Sequence, residues 1–298
     1  MTLFWVLLRI VSLVYVIFSL ILFFGQDHLV FIPGKSVLSS PQELGLNYLD
    51  VKLKTADGLQ LGAWFIPAQN SNATNSSPSI RTNRPKSSMP LVLLFCHGNA
   101  GTIQNRLIYL PIFQSLGLST LLFDYRGYGN SEGKPSESGT YADVAAAWRY
   151  LTEEQKIPPQ RILIYGESLG GAVASYWAET LTTQSIPAGG LILAGTFTHV
   201  HDRAAELYPL LPVRFISRFN YQSESRLSKI KMPVLVIHSR DDEIIPFSHG
   251  EKLFQAAQEP KLFAMLKGGH NEAMFDSLEA YRAGLAKFIQ LSQSVFPS

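Results

Sequence analysis

The stretch that most constrains this chain is Arg161-Ile-Leu-Ile-Tyr165-Gly166-Glu167-Ser168-Leu169-Gly170-Gly171. Its first five residues form a short, apolar, β-branched run, as a strand covered on both faces requires. Good helix formers follow at 172–178. Between them Gly166, Ser168 and Gly170 fit G-x-S-x-G. A serine on a tight strand-to-helix turn sits in a strained backbone conformation. Residues two positions away on either side must then be small, or they collide with the adjoining strand and helix. The turn lifts Oγ clear of the sheet and sets it at a helix N-terminus, where free N–H groups can face a developing negative charge. A bare five-residue match arises easily by chance. The strand before it and the helix after it give this one weight.

The rest of the chain repeats that alternation. Apolar strand runs are expected at 91–96, 118–124, 190–194, 234–238 and 261–266. Helical patterns are expected at 103–116, 141–154, 249–257 and 276–291, with Thr140 and Asp143 as a capping box for the second. Strands alternating with helices imply right-handed β-α-β units and a mostly parallel sheet. Two earlier strand runs, separated by Ala56-Asp57-Gly58, read as a hairpin that adds antiparallel edge strands. The fold class is therefore α/β. Residues 69–90 are rich in Ser, Asn and Pro and predict a flexible surface insertion. Asn72 and Asn75 each begin an N-x-S/T triplet there.

Residues 3–24 are almost wholly apolar, with Arg9 the one charge. At about 1.5 Å per residue such a helix is roughly 33 Å long, against a hydrocarbon core of about 30 Å. No A-x-A cleavage pattern follows, so a membrane anchor at 1–25 is expected in place of a signal peptide. The expected organisation is that anchor, then a catalytic domain over 26–298 with a short cap region at 196–231. The protein is thus placed in a membrane as a single-pass, monomeric chain. Asp27, Lys35 and Glu43 give the positive-inside rule little to act on.

The formal net charge is +2 and no Lys/Arg cluster occurs, which excludes a nucleic-acid footprint. Cys96 is the single cysteine, so no intrachain disulfide or cysteine metal cluster is available. His199 and His201 could form a metal pair, but no third ligand suggests itself. They read as surface or packing residues, and no metal or cofactor is expected.

A serine hydroxyl needs a base, and the base needs an orienting acid. In open α/β sheets these gather in loops past the C-terminal ends of strands. Asp241, Asp242 and Glu243 all follow a strand, and Asp242 is the choice as acid. If its side chain points inward, its two neighbours point elsewhere. His270, after Gly268 and Gly269, follows the last strand and is the candidate base. Ser168, Asp242, His270 is the Ser…Asp…His order of G-x-S-x-G hydrolases. Asp124 precedes the serine and reads as structural, and His97 as a loop brace. An oxyanion needs two backbone donors: Leu169, directly after the serine, and Asn99 from the loop after 91–96, or Ala100 if the register is off by one.

These motifs resemble the α/β-hydrolase-fold serine hydrolases, and within them the single-pass membrane-anchored abhydrolase-domain proteins related to the bud-emergence family. The resemblance rests on HGNAG (97–101), DYRGYGNSEG (124–133), GESLGG (166–171), DDEIIP (241–246) and GGHNE (268–272), in family order. It implies Ser168, Asp242 and His270 as a triad and Asn99 and Leu169 as oxyanion donors. Ser239 departs from the glycine usual after the strand histidine. The implied activity is hydrolysis of a carboxylic ester or thioester of a small-molecule or acyl substrate, and the anchor alone suggests that this substrate lies at or near a membrane. A peptidase or amidase could use the same triad, and a non-catalytic scaffold is the alternative outside enzymes. The short cap predicts an open or shallow site.

Overall fold

The computed structural model describes residues 2–69 and 89–297. Helix α1 (Thr2–Val30) is followed by the two-residue β1 (Ile32–Pro33) and the hairpin β2 (Leu49–Lys54) and β3 (Gln60–Ile66). Then come β4 (Val92–Cys96) and the short β5 (Ala100–Gly101). Helix α2 (Leu110–Ser115) leads to β6 (Ser119–Phe123), α3 (Glu137–Arg149) to β7 (Ile162–Glu167), and α4 (Leu169–Thr183) to β8 (Gly190–Ala194). Three short helices, α5 (Val200–Leu207), α6 (Val213–Ile216) and α7 (Glu224–Leu227), precede β9 (Val234–Ser239). Helix α8 (Phe247–Ala256) leads to β10 (Lys261–Leu266), and α9 (Ala273–Asp276) and α10 (Leu278–Val295) follow.

Eight strands form one sheet in the order β10-β9-β8-β7-β4-β6-β3-β2, in which only the β2–β3 and β3–β6 pairings are antiparallel. The chain leaves β4 for β6 on one side and returns to β7 on the other. The loops after β4 and β7 therefore diverge and open a crevice, which is where ligands bind in such sheets.

Both sheet faces are covered. On β4 and β7 the alternate residues Val92, Leu94, Ile162 and Ile164 join one core with α3 and α4. Leu93, Phe95, Leu163 and Tyr165 join the other with α2 and α10. The strands read as continuous apolar runs because each residue is buried on one face or the other. At about 1.5–3 kcal/mol per buried large side chain, these two layers dominate the stability that positions the loops.

Three helix expectations need correction. The 103–116 pattern is a 3₁₀ segment, Ile103–Tyr109, and only then α2. Pro111 sits in the first turn of α2, where its missing N–H costs nothing, but it could not have continued a preceding α-helix. The Thr140–Asp143 pair does not open a helix at 141. Helix α3 starts at Glu137, with Ser136 accepting from the Gly139 N–H at 3.1 Å. Thr140 Oγ1 donates back to the Glu137 carbonyl (2.7 Å), and Asp143 is buried against Arg126 (2.8 Å). The 276–291 helix divides into α9 and α10 at Ser277.

Helix α1 is long and apolar enough to cross a membrane, with mean hydropathy 2.6 and an exposed apolar surface. It continues beyond the apolar run to Val30. The expected 69–90 insertion, with Asn72 and Asn75, falls almost wholly outside the described residues.

Candidate active site

Strand β7 ends at Glu167 and α4 begins at Leu169, so Ser168 alone makes the turn. Its φ is 52° and its ψ −120°, a region that a residue with a side chain adopts only under constraint. The constraint is visible. The Ser168 N–H donates to the Ala194 carbonyl (2.9 Å), and the Ser168 carbonyl accepts from Thr196 Oγ1 (2.6 Å) and the Gly171 N–H (2.9 Å). The flanking glycines are required by space. A Cβ on Gly166 would lie 2.5 Å from the Gly170 carbonyl oxygen, and one on Gly170 would lie 2.1 Å from that of Cys96.

His270 Nε2 lies 3.2 Å from Ser168 Oγ, and His270 Nδ1 lies 2.7 Å from Asp242 Oδ2. Three loops separated by up to 102 positions thus converge on one line of hydrogen bonds. Asp242 Oδ1 accepts from the Ile244 and Ile245 N–H groups at 3.0 and 2.7 Å. Burial works to raise this carboxyl, but its bonds to the His270 ring and the Ile245 N–H hold it below the ordinary carboxylate range. His238 is buried, with Nε2 2.8 Å from the Ile245 carbonyl, and burial depresses its basicity. A neutral His238 donating from Nε2 completes the acid loop.

Asn99 and Leu169 both line the space beside Ser168. The Asn99 carbonyl accepts from the Ile32 N–H (3.0 Å) and the Tyr128 hydroxyl (2.7 Å), which fixes the loop after β4. His97 Nδ1 lies 2.7 Å from the Gly98 carbonyl, and its Nε2 lies 3.6 Å from Asp124. Burial, with Arg106 nearby, lowers His97 to about 3, and burial raises Asp124 to about 7. Asp124 Oδ1 accepts from the Ile103 N–H at 2.8 Å.

Several bracing residues escaped the sequence reading. Glu167, the variable position before the serine, accepts from Arg106 Nε at 2.9 Å and from the Tyr109 hydroxyl at 3.2 Å. Arg106 Nη1 also donates to the Ala100 carbonyl (2.8 Å), tying the loop after β4 to the serine turn. The two acids beside Asp242 do point elsewhere, to useful ends: Asp241 accepts from the Gly268 N–H (3.1 Å) and Glu243 from the His270 N–H (3.0 Å). Ser239, the departure from glycine, donates to the Gly268 carbonyl at 2.5 Å. The acid loop therefore carries the histidine loop. Gly195, with φ of 55°, leaves room beside the ring; a Cβ there would lie 3.4 Å from His270 Cε1.

Ser168 opens into a cavity of about 290 Å³. Phe197, Val200, Leu207 and Phe219 from the 196–231 region form one side, and Leu22, Gln26, Leu29 and Val30 of α1 form another. Among the described residues, Arg203 is the one cationic side chain in its lining. Among the described residues no group of three or more His, Cys, Asp or Glu side chains is placed to hold a metal ion.

Residues 92–219 match the family model described as the alpha/beta hydrolase fold. The chain is 31% identical to the alpha/beta hydrolase domain-containing protein WAV2 of Arabidopsis thaliana, covering 89% of this chain and 87% of that protein. It is also 31% identical to the lysophosphatidylserine lipase ABHD12 of Danio rerio, over 75% of this chain and 63% of the relative. Among solved structures, the esterase Pf2001 of Pyrococcus furiosus superposes with a TM-score of 0.67 at 16% identity, covering 88% of this chain and 97% of the esterase. The parallel sheet, the serine turn at its crevice and these similarities together establish that the chain belongs to the abhydrolase-domain branch of the α/β-hydrolase family.

Proposed function

We propose that this protein is a serine hydrolase, held in a membrane by a single pass of α1, that cleaves carboxylic ester or thioester bonds in lipid-like or acylated substrates. The observation that carries the reading is the Ser168–His270–Asp242 line opening into an apolar cavity. Asp242 holds the proton on His270 Nδ1, which leaves Nε2 free to accept the Ser168 hydroxyl proton. Oγ then attacks the acyl carbon. The Leu169 and Asn99 N–H groups donate to the oxyanion, each such donor being worth about 3–4 kcal/mol in the transition state. His270 passes its proton to the leaving oxygen or sulfur. Water, deprotonated by the same nitrogen, releases the acyl group from Ser168.

The apolar lining favours a long acyl chain over a compact polar group. A lipid substrate is also in keeping with the lipase named among the relatives. Fluorophosphonate labelling tests the chemistry: the intact chain should label and Ser168→Ala should not, since losing a triad serine costs about 10⁶ in turnover. A panel of esters, thioesters and lysophospholipids then assigns the substrate. A folded, unlabelled wild-type chain would reject the hydrolase reading.

A further inference from the structure

Helix α1 does more than anchor the domain. Leu22, Gln26, Leu29 and Val30 form a wall of the cavity that holds Ser168. The facing wall is the cap, and the two are tied at several heights. Arg218 pairs with Asp27 at 2.8 Å. Gln26 donates to the Ile216 carbonyl and accepts from the Arg218 N–H, both at 2.8 Å. Further along α1, the Tyr15 hydroxyl donates to the Leu210 carbonyl at 3.1 Å. Tyr15 and Gln26 are 11 residues apart. At about 1.5 Å per residue that is some 16 Å, close to half of a hydrocarbon core of about 30 Å.

The cap tip that runs along this part of α1 has the composition of a membrane-facing element. Residues 207–213, Leu-Tyr-Pro-Leu-Leu-Pro-Val, carry no charge, and Arg214, which follows, is paired with Asp202 at 2.9 Å. Leu210 is 86% and Phe215 91% exposed. Two prolines remove N–H groups that lipid could not satisfy. The Leu211, Phe215 and Ile216 N–H groups are bonded within the tip, and α1 side chains satisfy the Leu210 and Ile216 carbonyls. Each bond of this kind lowers the cost of placing the tip in hydrocarbon.

From this geometry we infer that the cap tip lies in the leaflet occupied by the Tyr15-to-Gln26 half of α1, and that the cavity between them is a lateral portal through which a lipid acyl chain passes from the bilayer to Ser168. The inference rests on the proposed membrane-spanning role of α1 and deepens the proposed function by fixing where the substrate comes from. Leu210 and Phe215 lie outside the cavity lining, so they meet bilayer lipid and the cavity residues meet the bound chain.

The test uses the full chain in phosphatidylcholine bilayers. Leu210→Cys, Phe215→Cys and, as a solvent-exposed reference on α10, Glu279→Cys are labelled with bimane; the native thiol of Cys96 is buried. Doxyl-labelled phosphatidylcholine should quench the probes at 210 and 215 at least threefold more strongly than at 279. Equal quenching at all three positions would overturn the immersion, whatever the enzyme's activity. The double variant Leu210→Asp, Phe215→Asp should lose at least tenfold in kcat/KM on a long-chain lysophospholipid embedded in the bilayer, while hydrolysing soluble p-nitrophenyl acetate at the wild-type rate. Equal loss on both substrates, or on neither, would overturn the portal. A wild-type chain that hydrolyses neither substrate would reject the hydrolase reading and leave the quenching result standing.

Discussion

Arg106 and Glu167 form an ion pair at 2.9 Å that joins the loop after β4 to the turn that carries Ser168. Both side chains are largely withdrawn from water, at 11% and 22% exposure. The pair ties the loop of Asn99 to the turn of Leu169, the two proposed oxyanion donors, through the Arg106 contact with the Ala100 carbonyl. Arg106→Ala should therefore lower kcat by on the order of 10–100-fold with little change in KM, because the donors act on the transition state. Removing one partner of a buried pair should also cost about 3 kcal/mol of stability. Arg106→Lys restores the charge without the fork and should recover the stability better than the kcat. Steady-state kinetics on a soluble ester, alongside thermal denaturation, separate the two effects; a pure KM change would rule out this positioning role.

Asp242→Asn tests the acid. The substitution keeps the shape but removes the charge that selects the His270 tautomer, and the expected loss in turnover is about 10⁴-fold. The native carboxyl is held below its ordinary range, so it contributes stability that is full above about pH 4 and lost as pH falls through its folded value. The variant should lack that acid-side component. Denaturation curves for both proteins between pH 3 and 6 should converge toward the acid end. Parallel curves would mean that Asp242 is not held ionised by its partners.

Glu243→Gln addresses the loop that presents the histidine. Glu243 accepts from the His270 N–H and lies in the loop that carries Asp242. Glutamine retains an acceptor oxygen, so the fold should survive, while the loss of a charge-assisted bond loosens the histidine. A fall of about 3–10-fold in kcat for Glu243→Gln, and a larger fall for Glu243→Ala, which removes the acceptor altogether, is the expected pattern. Identical rates in all three proteins would show that the bond does not position the ring.

The sheet was legible because each strand is short, apolar and followed by a turn signal, so periodicity alone separates it from the helices. The serine turn was legible because sterics permit few residue types around it, as the contacts of Gly166 and Gly170 make plain. The start of α3 was not, since Ser136 caps only once the chain has turned at Pro135, and Thr140 and Asp143 carry the same signature inside the helix. The Arg106–Glu167 pair was illegible for a different reason. It spans 61 positions, and nothing local distinguishes that arginine from a surface one. The same holds for Leu22 to Val30 as a cavity wall: an apolar helix carries no periodicity that says which side meets protein.

Gly170→Ala should abolish folding where Gly171→Ala merely weakens it. The new Cβ on Gly170 would meet backbone, 2.1 Å from the Cys96 carbonyl oxygen and 2.6 Å from that of His97. On Gly171 it would meet Thr196 Oγ1 at 2.4 Å and Cβ at 2.5 Å, so Thr196 must shift back, at the expense of its bond to the Ser168 carbonyl, while no backbone carbonyl is met. Yields of soluble folded protein and melting temperatures rank the two. A well-folded Gly170→Ala protein would show that the turn can open by more than these distances imply.

Asp124 gives the protein a pH dependence of opposite sign to that of Asp242. Burial raises its carboxyl from 3.8 to about 7, and its Oδ2 is buried without a partner. The folded protein therefore keeps a proton that the unfolded chain releases above about pH 4. Across that window folding takes up a proton, so the stabilisation is full below about pH 4 and is lost as pH rises through 7. His97 faces the carboxyl at 3.6 Å but stays neutral throughout, because burial lowers it to about 3. The Ile103 N–H is the remaining partner and does not titrate. Asp124→Asn removes the charge and keeps an acceptor for Ile103. Its stability relative to wild type should rise by on the order of 2 kcal/mol between pH 5 and pH 8, from the proton released over that range. Denaturant titrations of the two proteins at both pH values measure the change, and a difference independent of pH would mean that Asp124 is ionised in the fold.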